Sequence, residues 1–226
     1  MKVRLRTDRA GEAFVRECAW DTAIPLSLEM QDGTLYLAVW RALRRPVSRL
    51  LLESGVRRSP ALPADLIPAL RGLGEAYLVS EGFVPSAHSG RIFDYCEGER
   101  SRILGSTLPL NEGILSCENL TGYDLEATLA AGRRAYVTVV EGQVLSIAAV
   151  CEDGDPKLLE IGMETSPCAR HRGYAASNAA ALARELAETG HRVTARTEGG
   201  NLPSERTLTA AGFVPAGIWM TLIGER

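Results

Sequence analysis

The residues best suited to chemistry form one short run, Arg170-His171-Arg172-Gly173-Tyr174-Ala175, which has the pattern R-x-x-G-x-A. It lies between a strand pattern at 158–165 and an alanine-rich helical pattern at 176–189. The first N–H groups of a helix lack partners and carry the positive end of the helix dipole. The small residues of the run let the backbone approach an anion closely, and its arginines add charge-assisted contacts. The run therefore predicts a binding site for a phosphate-type anion at the start of a helix.

Two further motifs flank this run. Upstream, residues 160–167 have the sequence E-I-G-M-E-T-S-P, a strand pattern that ends at a proline. Downstream, Asn201-Leu202-Pro203-Ser204 precedes a helical pattern that ends at Gly212-Phe213. The order E-I-x-x-E-T-x-P, R-G-Y-A, N-x-x-S and G-F resembles that of the GNAT superfamily of N-acetyltransferases. It is most similar to a bacterial branch that includes aminopolyol-antibiotic resistance acetyltransferases.

This resemblance implies a coenzyme site with acetyl-CoA as co-substrate and no metal. In the superfamily, the strand before the loop splays from its neighbour and pairs with the pantetheine arm, while the loop amides hold the pyrophosphate. The contacts that the resemblance implies here are Met163, Glu164, Thr165, Arg170, His171, Arg172, Gly173, Tyr174, Ala175, Asn201 and Ser204. Asn201 fits a helix cap equally well, because Asn and Ser are favoured at that position.

Two carboxylates on the strand before the loop are candidates for the general base. Side chains alternate along a strand, so Glu160, Gly162 and Glu164 share one face. Charged groups are costly to bury without a partner, which favours a function for this pair. Glu160 is the preferred catalytic residue, because it lies near the position of the catalytic glutamate in histone-type members, and Glu164 is the second candidate. The alternative is that one of the two forms a salt bridge to an arginine of the N-terminal half.

The general acid departs from the superfamily pattern. Many members carry a tyrosine seven residues after the motif asparagine, whereas Leu208 occupies that position here. Ser204, Thr207, Thr209 and Tyr174 remain candidates, and the thiolate could also leave unprotonated because its pKa is far below that of an amine. Cys168, beside the loop, is interpreted as a small buried residue in preference to an acyl-carrying nucleophile.

The composition is that of an ordinary folded protein, with 46% hydrophobic residues, 23% charged residues and a net charge of -3. This charge predicts neither a nucleic-acid partner nor binding to an anionic membrane. No run approaches 18 apolar residues and no basic-then-apolar leader is present, so we expect neither membrane insertion nor export. The five cysteines never form C-x-x-C and the three histidines are scattered, which argues against a disulfide scaffold and a metal site. A cytoplasmic protein is favoured, as a monomer or a homodimer.

The second half of the chain has the clearest secondary-structure patterns. Two β-rich runs at 135–140 and 143–151 meet at Glu141-Gly142, which predicts a hairpin. The other predicted elements are a helix at 124–131, a strand at 158–165, a helix at 176–189, a strand at 193–197, a helix at 204–211 and a strand at 213–222. This is the order that the resemblance requires. The predicted fold class is therefore α+β with a mixed sheet, a GNAT-like acyl-CoA N-acyltransferase fold in the C-terminal half.

The first hundred residues have weaker patterns. They predict a strand at 34–40 and a helix at 63–75, with a proline near its first turn. Arg44-Arg45-Pro46 and Arg57-Arg58-Ser59-Pro60 are interpreted as solvent-exposed turns. Few of the remaining segments predict an element.

Gly, Ser, Pro and Asn cluster at 103–122, which places a domain boundary there. The prediction is an N-terminal α/β lobe at 1–105 and an acetyltransferase domain at 106–226. Two interpretations of the lobe stay open. It is either a degenerate second copy of the fold, in which Gly82-Phe83 corresponds to Gly212-Phe213, or a cap over the acceptor pocket.

Two functions from different classes fit these residues. The first is an N-acetyltransferase that moves an acetyl group from acetyl-CoA to a primary amine of a small molecule or aminoacyl compound, by direct attack in a ternary complex. The second is a protein that binds acyl-CoA without catalysis, as a sensor or regulator. Glu160 and Glu164 favour the enzyme, whereas Leu208 favours the binding protein.

Overall fold

The computed structural model describes residues 1–8, 22–96, 101–119, 122–151 and 157–226. The strands are β1 Lys2–Asp8, β2 Thr22–Gln31, β3 Thr34–Trp40, β4 Val84–Tyr95, β5 Thr107–Pro109, β6 Glu118–Asn119, β7 Ala135–Val140, β8 Gln143–Val150, β9 Leu158–Thr165, β10 Arg192–Glu198 and β11 Phe213–Glu225. The helices are α1 Arg44–Glu53, α2 Leu66–Ser80, α3 Leu125–Ala130, α4 Tyr174–Glu188 and α5 Leu202–Ala210. The strands pair both parallel and antiparallel and alternate with helices along the chain, which confirms the predicted α+β fold with a mixed sheet.

The chain divides into two compact units. One comprises Met1–Arg91 with Ala216–Arg226, and the other comprises Ile92–Pro215. The predicted domain boundary lies between residues 105 and 106, whereas the units divide inside β4 and inside β11. Both division points lie within continuous strands, so the turn-rich segment at 103–122 does not mark them. The two interpretations of the N-terminal lobe stay predictions.

The first unit is built on a hairpin. β2 and β3 pair antiparallel around Asp32 and Gly33, whose positive φ angles of 51° and 64° fit the turn that twisted hairpins favour. β1 pairs parallel with β3, and β11 pairs antiparallel with β2. The predicted strand at 34–40 has the observed bounds of β3.

Two helices of the first unit depart from the sequence analysis. The prediction of a turn at Arg44-Arg45-Pro46 is wrong, because these residues form the first turn of α1. A proline is tolerated there, since the first N–H groups of a helix have no intrahelical acceptor. Val47 and Leu51, one helical turn apart, are buried and anchor α1 in the core. Helix α2 begins and ends later than the predicted 63–75.

The second unit contains the elements that the motifs predicted. β7, β8 and β9 form an antiparallel meander, and β10 pairs parallel with β9. Helix α4 covers one face through its small residues, including Ala179 and Ala183, which pack with Ile161 of β9. Leu125 of α3 packs with Ile147 on the other face. The faces of β9 are therefore distinct, one towards α4 and one towards α3.

Candidate functional site

Strands β9 and β10 form a short parallel pair and then separate. Their register covers only residues 158–160 of β9 against residues 192–194 of β10. β9 continues to Thr165 and β10 to Glu198. Beyond Glu160, β9 therefore pairs with β8 on one side only, and the backbone groups on its other edge face the gap. An extended, amide-containing ligand could pair with this edge as an added strand would.

The turn that follows β9 opens helix α4. Gly173 is the N-cap residue, with φ of 80° and no side-chain cap hydrogen bond. The first bond inside the helix runs from the Ser177 N–H to the Gly173 carbonyl, so the N–H groups of residues 174–176 have no acceptor within the helix. His171 also has a positive φ, 63°. These conformations expose a series of backbone donors at the positive end of the helix dipole.

One pocket of about 650 Å³ joins the turn, the open strand and the start of α5. All the residues predicted as coenzyme contacts line it: Met163, Glu164, Thr165, Arg170, His171, Arg172, Gly173, Tyr174, Ala175, Asn201 and Ser204. Six lining residues were not predicted as coenzyme contacts: Ala169, Ala176, Pro203, Arg206, Ala210 and Thr207, which was a candidate acid only. Four of these lie on one face of α5, and a helical repeat from Pro203 would have indicated them.

The pocket carries a cluster of positive charge. Arg170, Arg172 and Arg206 all line it and are exposed. Within the described parts of the chain, none of the three forms an ion pair with a carboxylate. Their guanidinium groups are therefore available to an anionic ligand.

Asn201 caps a helix at the wall of the pocket. Its Oδ1 accepts a hydrogen bond from the Ser204 N–H at 3.2 Å, which makes it the N-cap of α5. The capping interpretation from the sequence thus describes one role of this side chain. The cap leaves the Nδ2 group to donate into the pocket that Asn201 lines.

The two candidate bases occupy different surroundings. Glu160 forms an ion pair with Arg196, with 2.9 Å between Oε2 and Nε, and does not line the pocket. Arg196 belongs to β10, so the expected salt bridge exists but its arginine is not from the N-terminal half. Glu164 lines the pocket, and its Oε1 accepts a hydrogen bond from the Gly122 N–H at 2.9 Å. The structure therefore favours Glu164 over Glu160 as the carboxylate that can meet a ligand.

The Tyr123 hydroxyl and the Cys151 thiol lie beside Gly162, between the two carboxylates on β9, and the sequence indicated neither of them. At Gly162, an added Cβ would lie 2.7 Å from the Tyr123 Oη and 3.1 Å from the Cys151 Sγ. Burial raises the pKa of Tyr123, and Cys151 and Glu164 raise it further. Burial, followed by Glu160, raises the pKa of Cys151 to about 11. Both groups therefore keep their protons at neutral pH, and no local sequence pattern connects them to β9.

The candidates for the general acid differ in whether they line the pocket. Leu208 is fully buried in the core beneath α4 and α5. Tyr174, Ser204 and Thr207 line the pocket, whereas Thr209 does not. The expectation that Cys168 is buried is wrong, because this cysteine is exposed in the short 3-10 turn before the loop.

No helix among the described residues is both long and apolar enough to cross a membrane. The described residues also contain no group of three or more His, Cys, Asp or Glu side chains placed to hold a metal ion. Backbone donors, arginines and a carboxylate line the pocket.

Comparison with known proteins agrees with this geometry. Residues 136–220 match the FR47-like protein family. A GNAT-family acetyltransferase from Colwellia psychrerythraea superposes with a TM-score of 0.50 at 12% identity, over 86% of this chain and 78% of that chain. The fold is that of the GNAT acetyltransferases.

A second structure with a TM-score of 0.50 shows the same fold. A GCN5-related N-acetyltransferase-like protein from Streptococcus suis 89/1591 has a TM-score of 0.50 and 14% identity, over 91% of this chain and 84% of that chain. A putative GNAT acetyltransferase from Novosphingobium aromaticivorans DSM 12444 has a TM-score of 0.48 and 18% identity, over 62% of this chain and 66% of that chain. No functionally curated protein matches the sequence. The aminopolyol-antibiotic resistance branch stays a prediction.

Proposed function

We propose that this protein is an acetyl-CoA-dependent N-acetyltransferase whose acceptor is a primary amine of a small molecule or aminoacyl compound. The observation that carries the proposal is the junction of an open strand edge with an uncapped helix N-terminus in one pocket. The first feature suits the amides of a pantetheine arm, and the second suits a pyrophosphate. The GNAT fold and the acetyltransferases with which the chain superposes support the same activity.

The coenzyme would lie along the pocket in one direction. Its pyrophosphate accepts hydrogen bonds from the backbone of residues 170–175, while Arg170, Arg172 and Arg206 offset its charge. Its arm then follows the open edge of β9 from Thr165 towards the point where β9 and β10 join. The acetyl group consequently arrives on the part of β9 that contains Gly162.

Glu164 is the group best placed to deprotonate the amine. Its carboxylate is held by the Gly122 N–H and lies on the α3-facing side of β9, next to the arm. An ammonium that binds there gives one proton to Glu164, and the free nitrogen then attacks the thioester carbon. The C–N bond forms, the C–S bond breaks, and the electron pair of the C–S bond stays on sulfur. Fixing both reactants in one pocket removes much of the entropic cost of this encounter.

The proposal is tested by the release of coenzyme A thiol from acetyl-CoA in the presence of individual primary amines, including polyamines, aminoglycosides and amino acid amides. Turnover that depends on the amine, with the acetylated amine identified by mass spectrometry, is the expected result. Glu164→Gln should slow this turnover, and Glu126→Gln is its matched control, because Glu126 is an exposed carboxylate outside the pocket. Wild-type protein that binds acetyl-CoA but acetylates no amine would contradict the proposed catalysis.

That result would favour the second candidate, a non-catalytic protein that binds acyl-CoA. One observation favours it: the position of the usual tyrosine holds Leu208, which is buried in the core and offers no proton. The two candidates share the coenzyme pocket and differ in whether an amine is bound, deprotonated and acetylated there.

A further inference from the structure

The side chain of Tyr123 contacts the middle of β9, the strand that separates from β10. Tyr123 is not among the residues that line the coenzyme pocket. It lies just before α3, and its Oη lies 2.7 Å from the position where a side chain at Gly162 would begin. A glycine at 162 leaves room for this hydroxyl directly over the backbone of β9. The Gly122 N–H, one residue earlier, donates to Glu164, so the segment is fixed to β9 next to the tyrosine.

The hydroxyl lies where the reacting end of the coenzyme is expected. Gly162 is three residues from Thr165, or roughly 10 Å along an extended strand. Gly162 is also two residues beyond the last β9 position that pairs with β10, at Glu160. An arm that starts at the helix N-terminus and follows the open edge therefore ends beside Gly162, because the gap closes there.

On this basis, and resting on the proposed acetyltransferase function, we propose that Tyr123 donates the proton to the leaving sulfur of coenzyme A. As the C–S bond breaks, the Tyr123 Oη proton passes to the sulfur and the phenol becomes a phenolate. The nitrogen that has formed the C–N bond still carries an extra proton, and this proton restores the phenol. The products are the amide and the free thiol, with one proton released to solvent through Glu164.

The surroundings of Tyr123 suit a proton donor. Burial raises its pKa, so the phenol is protonated at neutral pH, and the nearby carboxylate of Glu164 acts in the same direction. Arg133 acts in the opposite direction as the smallest of the four influences. Tyr174 is a poorer candidate, because it is the first residue of α4 and lies at the pyrophosphate end of the pocket.

Kinetics of the Tyr123→Phe variant test the role. We expect kcat to fall about 100-fold, the lower end for loss of a general acid, with KM for acetyl-CoA unchanged. The loss should be larger with the oxygen-ester analogue of acetyl-CoA, because an alkoxide needs the proton more than a thiolate does. A purely structural role would not depend on the leaving group. The matched control is Tyr136→Phe, whose hydroxyl donates to Glu185 on α4 and which should retain wild-type rates.

A second experiment needs no acceptor. Bromoacetyl-CoA carries a reactive carbon at the place of the acetyl group, so it should alkylate the cysteine of the Tyr123→Cys variant. Excess coenzyme A should prevent this alkylation. Position 136 in the Tyr136→Cys variant should not react. Peptide mass spectrometry separates these sites from the exposed Cys96 and Cys168.

The outcomes separate the two proposals. Failure of the wild type to bind acetyl-CoA overturns the proposed function and this inference together. Binding without alkylation at position 123, or unchanged kcat in Tyr123→Phe, overturns the inference alone. Thermal unfolding of each variant, matched to the wild type, shows that a loss of rate is not a loss of fold.

Discussion

Glu164 and Glu160 differ in what holds them, and this difference predicts different effects of neutralising each. Glu164→Gln removes the proposed proton acceptor from the pocket, so kcat/KM for the amine should fall by about 100-fold or more, as expected for loss of a general base. Glu160→Gln removes one partner of a partly exposed ion pair with Arg196. Its cost should be limited to stability, about 1 kcal/mol or less.

Steady-state kinetics and thermal unfolding of the two variants check this prediction together. Equal losses of kcat/KM in both variants, or a larger loss in Glu160→Gln, would contradict the assignment of Glu164.

Gly162 offers a second test at the level of one residue. In Gly162→Ala the new methyl group would lie 2.7 Å from the Tyr123 Oη, closer than carbon and oxygen can approach, so the phenol must move. We expect a large drop in kcat with acetyl-CoA affinity retained, because the pyrophosphate loop is untouched. Gly105→Ala is the control, since Gly105 is exposed with no atom within 4 Å of an added Cβ. If calorimetry shows that the affinity for acetyl-CoA falls as far as kcat does, Gly162 is needed for coenzyme binding instead.

The Cys151 thiol gives a pH-dependent prediction. Its pKa is raised to about 11, mainly by burial, so the reactive thiolate should be scarce in the folded protein below that pH. Alkylation by iodoacetamide at pH 8, followed by peptide mass spectrometry, should modify the exposed Cys168 well before Cys151. Modification of Cys151 at the same rate as Cys168 would contradict the burial of this side chain.

At the scale of elements, Asn201 has two possible contributions that substitutions can separate, capping of α5 and binding of the coenzyme. Asn201→Ala removes the cap and should destabilise the protein by about 1 kcal/mol, seen as a lower free energy of unfolding in urea. Asn201→Ser keeps a capping oxygen but lacks the side-chain NH₂ group. If that group binds the coenzyme, Asn201→Ser weakens acetyl-CoA binding at nearly wild-type stability. An unchanged affinity in Asn201→Ser would leave the cap as its only role.

The elements around the site were predicted well because local chemistry determines them. β7 and β9 have the predicted bounds, since their apolar runs stop at a Gly turn and at a Pro. The start of α4 was predicted two residues late, because Tyr174 and Ala175 were assigned to the loop. The helix at 44–53 was missed since two arginines and a proline resemble a turn when the buried positions that follow are not considered.

At the scale of the whole molecule, the sequence predicted the pocket better than the proposed reaction centre. The predicted coenzyme contacts lie in three short motifs, each at a strand end or a helix start, so spacing alone groups them. Tyr123 and Arg196 reach β9 from distant parts of the chain, and only the folded unit brings them to Gly162 and Glu160. The division of the chain inside β4 and β11 has the same origin, since it depends on non-local packing.

Calorimetric titration of the wild type with acetyl-CoA tests the central claim, that this pocket binds the coenzyme. We expect micromolar affinity, about -8 kcal/mol, and its loss in Gly173→Glu, which places bulk and negative charge among the backbone donors. Gly190→Glu is the matched control, because Gly190 has a similar φ, 85° against 80°, but follows the other end of α4. It should bind as the wild type does. A folded wild type that does not bind acetyl-CoA at millimolar concentration, or a Gly173→Glu variant that binds it normally, would contradict the claim.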